Sequence, residues 1–193
     1  MVEWSHMGNV RRREQKRHRA FSIVELLIVM VIIAILAVLI VVTYTGIKTR
    51  AENTKTVNAV SQVIKAVTQY GVRNGSYPVT STWPCIGSSP TCARVSGAST
   101  CFGISGATYN SAFYTTLKGV MTSVPEPSDQ RMNCAGNSYS GAYYNKNDTS
   151  AGKAASMVYF LKGNQSCQIT EGTVAAIQQD DTTRCHVTLK TLP

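Results

Sequence analysis

Histidine is nearly missing from this chain of 193 residues: of its three copies, only His186 lies beyond residue 20. Cysteine is absent from residues 1–84, and no two of its six copies form a C-x-x-C pair. Closed zinc sites need paired, closely spaced sulfur and nitrogen ligands, so no metal centre is expected. No Walker loop, H-E-x-x-H or G-x-S-x-G occurs. A Ser-His-Asp site would have to use His186, isolated in the strand-like stretch Cys185-His186-Val187. No catalytic residue and no cofactor are therefore expected. Acidic residues are also few, 10 against 19 lysines and arginines. The excess is concentrated, because residues 1–20 hold six basic residues (Arg11, Arg12, Arg13, Lys16, Arg17, Arg19) against Glu3 and Glu14. Beyond them the charges are scattered, with no basic stripe interleaved with aromatics, so no specific nucleic-acid partner is expected.

What the chain does have is one long apolar run. Residues 26–42 (LLIVMVIIAILAVLIVV) are 17 uninterrupted apolar residues. Extended back to Phe21 the segment rises about 33 Å as a helix, enough for a hydrocarbon core of about 30 Å. A cleavable secretory signal has a shorter apolar core and an A-x-A-like site. This run is longer and passes into Thr43-Tyr44-Thr45-Gly46 without such a site, so it stays in the protein. The six basic residues ahead of it orient the N-terminus inside and the C-terminus outside.

No proline interrupts residues 21–70, and Gly46 alone weakens a helix there. Ile47, Ala51, Thr54, Val57, Val60, Ile64, Val67 and Tyr70 recur at spacings of three or four, one amphipathic stripe. A single helix over residues 21–73 is predicted, greasy throughout in its first half (transmembrane at about 22–44) and amphipathic in its second. Asn74-Gly75 and Pro78 stop it. From residue 75 to about 150 the chain is rich in Ser, Thr, Gly, Asn and Pro and reads as a long connecting region pinned by disulfides, with a short helix around 111–120. Strands are predicted at 141–146, 155–162, 173–178 and 184–190, with turns at Gly163-Asn164 and Asp180-Asp181. Two solvated acids in a turn account for Asp180-Asp181 better than a calcium site does.

All six cysteines (Cys85, Cys92, Cys101, Cys134, Cys167, Cys185) lie on the exported side of the apolar run, an even number that fits disulfides in an oxidising compartment. The preferred single pairing is Cys167 with Cys185, each at the edge of a predicted strand with 17 residues between them.

The stretch Arg19-Ala20-Phe21-Ser22-Ile23-Val24-Glu25-Leu26-Leu27-Ile28-Val29 resembles the processing site of type IV pilins and type II secretion pseudopilins. In that family a basic leader ends in a small residue, a Phe opens the mature chain, and a Glu stands fifth in it. Ala20 stands where Gly is usual, Ser22 where Thr is commoner, and the apolar run has no proline or glycine, which many members carry. The resemblance implies a leader 1–20 cut after Ala20 by a prepilin peptidase and methylase, a methylated Phe21 amine, a helix 21–74 and an extracytoplasmic head 75–193. The implied fold is α+β, a long helix packed on a small antiparallel sheet with a disulfide-pinned αβ-loop. Glu25 is implied to draw in the terminal amine of a neighbour during self-assembly. A carboxylate at mid-bilayer costs roughly 2.5–3.5 kcal/mol, so its presence in such a run points to function. The expected protein is a non-enzymatic structural subunit, held first in the cytoplasmic membrane and then in an extracellular filament, served by pilus assembly machinery. The alternatives are a pseudopilin of a secretion or DNA-uptake machine, and a single-pass surface binding protein that never polymerises.

Overall fold

The computed structural model describes residues 22–87, 95–96, 108–134, 136–146 and 154–192. Helix α1 spans Ile23–Asn74. Its start is capped by Ser22, whose Oγ accepts from the Val24 N–H at 3.3 Å while its carbonyl accepts from Leu26. Its end is set by Gly75, at φ +73°, and by the Asn74 side chain, which donates to the Tyr70 carbonyl at 2.8 Å. The chain forms two compact units, Met1–Tyr44 and Thr45–Pro193. The described part of the first is apolar helix alone.

The second unit is built on a four-stranded antiparallel sheet. Its strands are β4 (Ala142–Asn145), β5 (Ser156–Lys162), β6 (Gly172–Gln179) and β7 (Thr182–Leu189), in the order β4-β5-β7-β6. The four expected strands are all present, each within two residues of its expected ends. Strand β5 (SMVYFLK) is buried along both faces, and its alternation sorts the residues into two cores. Met157, Tyr159 and Leu161 join Val60, Val63, Ile64 and Val67 of α1, together with Phe113 and Leu117 of the short helix α2 (Ser111–Lys118). Val158 and Phe160 point the other way, into a cluster with Cys85, Met132, Cys134, Tyr139 and Tyr143.

The second core corrects the reading of residues 75–150 as a connecting region. Besides the expected β4, that stretch supplies a separate three-stranded antiparallel sheet, β1 (Val95–Ser96), β2 (Met132–Cys134) and β3 (Asn137–Tyr139), ordered β1-β3-β2. Strands of two or three residues are too short to display a period of two, so composition concealed them. Helix α2 is capped by Asn110, whose Oδ1 accepts from the Phe113 N–H at 2.9 Å. It places the Phe113 ring in a stack on Tyr144, with centroids 4.7 Å apart. Burial pushes the Tyr144 phenol far above its usual range, keeping it a neutral donor to the Pro78 carbonyl at 2.8 Å.

The amphipathic stripe of α1 also needs correction at its lower end. Val60, Ile64 and Val67 are buried as expected, but Ile47, Ala51 and Thr54 are exposed. The buried positions there are Asn53 and Thr56. The Asn53 amide donates to the Lys162 carbonyl and accepts from the Lys162 N–H, both at 3.0 Å, closing the end of β5 like a strand partner. Thr56 Oγ1 accepts from the Ser128 N–H at 3.1 Å, and Ser128 Oγ donates to Glu52 at 2.7 Å. A polar side chain is buried when its hydrogen bonds are supplied, and a hydrophobicity pattern does not register that.

Candidate functional site

Chemistry concentrates at the start of α1. Ser22 and Glu25 stand at N-cap and N3, the spacing of a capping box, in which the first-turn N–H groups favour a nearby carboxylate. Glu25 is exposed, and its immediate neighbours are apolar and exposed as well: Ile23 85%, Val24 65%, Leu26 57%, Leu27 59%. No other acidic or basic side chain occurs from Ser22 to Thr45. The site is thus one carboxylate at a helix N-terminus, on a stretch of helix that offers it no partner. Such a group suits a cation delivered from outside, because an unpaired charge in an apolar setting costs more than a paired one. Ala20 and Phe21, the residues expected at the cleavage and methylation point, lie outside the described residues.

Along the rest of the segment no large described apolar side chain is covered by the protein itself. The most apolar 18-residue window has a mean hydropathy of 3.5 and none of it is buried, so this helix is long and apolar enough to cross a membrane.

In the second unit, Cys167 and Cys185 form a disulfide, with Cα atoms 5.7 Å apart, tying the segment before β6 to the centre of β7. Cys85 and Cys134 are disulfide-bonded too, in the core beneath the small sheet, and no described cysteine is free. Cys92 and Cys101 lie outside the described residues. His186 sits on β7 across from Val158 and Ala175 and is half buried. Burial first, and Arg184 second, hold its imidazole below the usual histidine range. Asp180, at φ +52°, and Asp181 form the β6–β7 turn, where Asp181 lies 3.8 Å from the Lys162 ammonium. Among the described residues no group of three or more His, Cys, Asp or Glu side chains is placed to hold a metal ion.

The prokaryotic N-terminal methylation motif matches residues 15–41, a motif typical of type IV pilins and pseudopilins. No curated protein and no solved structure matches the chain. The motif, borne on an apolar helix that continues into a pilin-like α+β unit, indicates the type IV pilin and pseudopilin family.

Proposed function

We propose that the chain is a prepilin, the precursor of a structural subunit of a type IV pilus or related filament. In this reading residues 1–20 are a leader removed after Ala20 by a prepilin peptidase, and residues 21–74 are the assembly helix. Residues 75–193 form the bulk of the head outside the membrane. The observation that carries it is the coincidence of the methylation motif with a helical segment whose large apolar side chains are exposed. Lipid covers such a segment before assembly, and a bundle of identical helices covers it afterwards. Glu25 then meets the methylated amine of a neighbouring Phe21, and losing one partner of a buried pair of this kind costs about 3–5 kcal/mol. The motif suggests a structural rather than an enzymatic role, with the peptidase, the assembly machinery and other copies of the chain as partners.

Mass spectrometry of the mature N-terminus, on filaments sheared from cells and on the membrane fraction, tests this directly. The expected species begins at N-methylated Phe21 in both. An intact leader in both fractions would overturn the reading and leave a plain membrane anchor.

A further inference from the structure

The upper end of α1 and the residues Tyr77, Glu171 and Lys190 line an open groove of about 620 Å³, which the sequence did not disclose. Its floor is apolar, built from Ile64, Val72 and Tyr77, and Val72 is 66% exposed. Its rim carries Lys65, Arg73 and Lys190. Glu171 also lines it, its carboxylate accepting from Ser61 Oγ and from the Thr170 N–H at 3.1 Å each and keeping its negative charge. With Lys65, Arg73 and Lys190 against the one carboxylate, the groove presents a net positive lining around apolar surface.

The same unit holds a surface of opposite character. Loop 125–129 is Pro-Glu-Pro-Ser-Asp, with Glu126 and Asp129 exposed and Glu52 of α1 alongside. Lys55 and Glu126 line one hollow, and the three acids outnumber Lys55 and the exposed Arg131 by one, leaving the patch net negative. The loop is fixed in place, because Pro127 and Ser128 are buried and Ser128 bonds both Thr56 and Glu52. Residues 52–56 lie about 20 Å below residues 64–73 along the helix, at 1.5 Å per residue. An anchored loop at that distance does not reach the groove of its own chain.

We propose that the two surfaces meet between copies, the acidic loop 125–129 of one subunit seating on the cationic groove of a second. The contact joins different patches on its two sides, so repeating it generates a ring or an open array rather than a two-fold dimer, and a filament is the open case. A stagger between neighbouring heads follows from the offset of the patches. The inference rests on the filament reading, supplying for the heads the partner that Glu25 supplies for the helices.

Two experiments on the full-length chain decide it. The first combines Lys65→Cys with Asp129→Cys and treats membranes with a bis-maleimide. Dimers and higher species are expected from the double variant, and monomer only from either single variant. Monomer from the double variant, or equal dimer from a single one, would overturn the contact. The second measures sheared filament. Lys65→Glu with Arg73→Glu, and separately Glu126→Lys with Asp129→Lys, should each cut yield at least about tenfold through like-charge juxtaposition. All four together should restore it. Wild-type yield from the reversals, or no recovery in the fourfold variant, counts against the pairing. A wild-type chain without sheared filament would sink the filament reading. The cross-linking result would still decide the contact.

Discussion

The two halves of α1 share a backbone conformation and differ in everything that touches it. From Ile23 to Val41 the large apolar side chains are at least half exposed, and no described strand or loop covers them. From Asn53 to Val67 the same helix buries Val60, Val63, Ile64 and Val67 against β5 and β7. The second half is completed within the chain and the first is left to be completed from outside. On the proposed filament reading, stability and assembly are therefore separable, the one residing in residues 45 onward and the other in the apolar half and on the head surface.

The sharpest way to break that division is Glu25→Ala. It should leave the subunit processed, disulfide-bonded and membrane-resident, while filament in the shear fraction falls nearly to nothing. Glu25→Gln should behave similarly, because it keeps shape and loses charge. Normal filament yield from both variants would make Glu25 an interfacial residue and no more. Next in size is a matched pair of truncations. Ile64→Ala opens a cavity in the packed half and should lower head stability by about 2–5 kcal/mol, seen as an earlier denaturant midpoint. Ile33→Ala removes the same atoms from the exposed half and should leave that midpoint unmoved. Equal effects would erase the distinction.

Asn53→Ala is expected to cost about 1–3 kcal/mol, since it strands both backbone groups of Lys162. Circular dichroism melts would detect this, and an unchanged melting curve would show that water replaces the amide. The smallest effect is the pH response of His186. Burial lowers its folded pKa below the unfolded value near 6.5, so the unfolded state binds the proton more readily. Its contribution is fully present above pH 6.5 and is lost as the pH falls from there through the folded pKa. His186→Gln should flatten that part of the stability curve, and a slope of wild-type size would assign it to other groups.

Much of this was legible because it depends on local pattern. The apolar run, the absence of proline through residue 77, the Asn74-Gly75 helix end and the strand-like texture of ASMVYFLK and RCHVTLK act over a few residues each. The Cys167–Cys185 pairing was accessible for the same reason, since both cysteines stand next to recognisable strands. The small sheet was not. Its two- and three-residue strands exist because the outer face of β5, Val158 and Phe160, needs cover, and that need arises only once the main sheet has formed.

By itself the sequence determined that one helix would run from an apolar to an amphipathic half, that Glu25 would be the lone charge in its apolar half, and that Cys167 would pair with Cys185. Each is a property of neighbours along the chain, and periodicity and transfer free energy act on neighbours. Tertiary structure alone decided the order β4-β5-β7-β6, the inward turn of Asn53 and Thr56, and the gathering of Lys65, Arg73 and Lys190 on one groove. Those depend on contacts between residues as far apart as 109 or 125 positions, where a hydrogen bond or a shared rim is a matter of packing geometry and not of local composition.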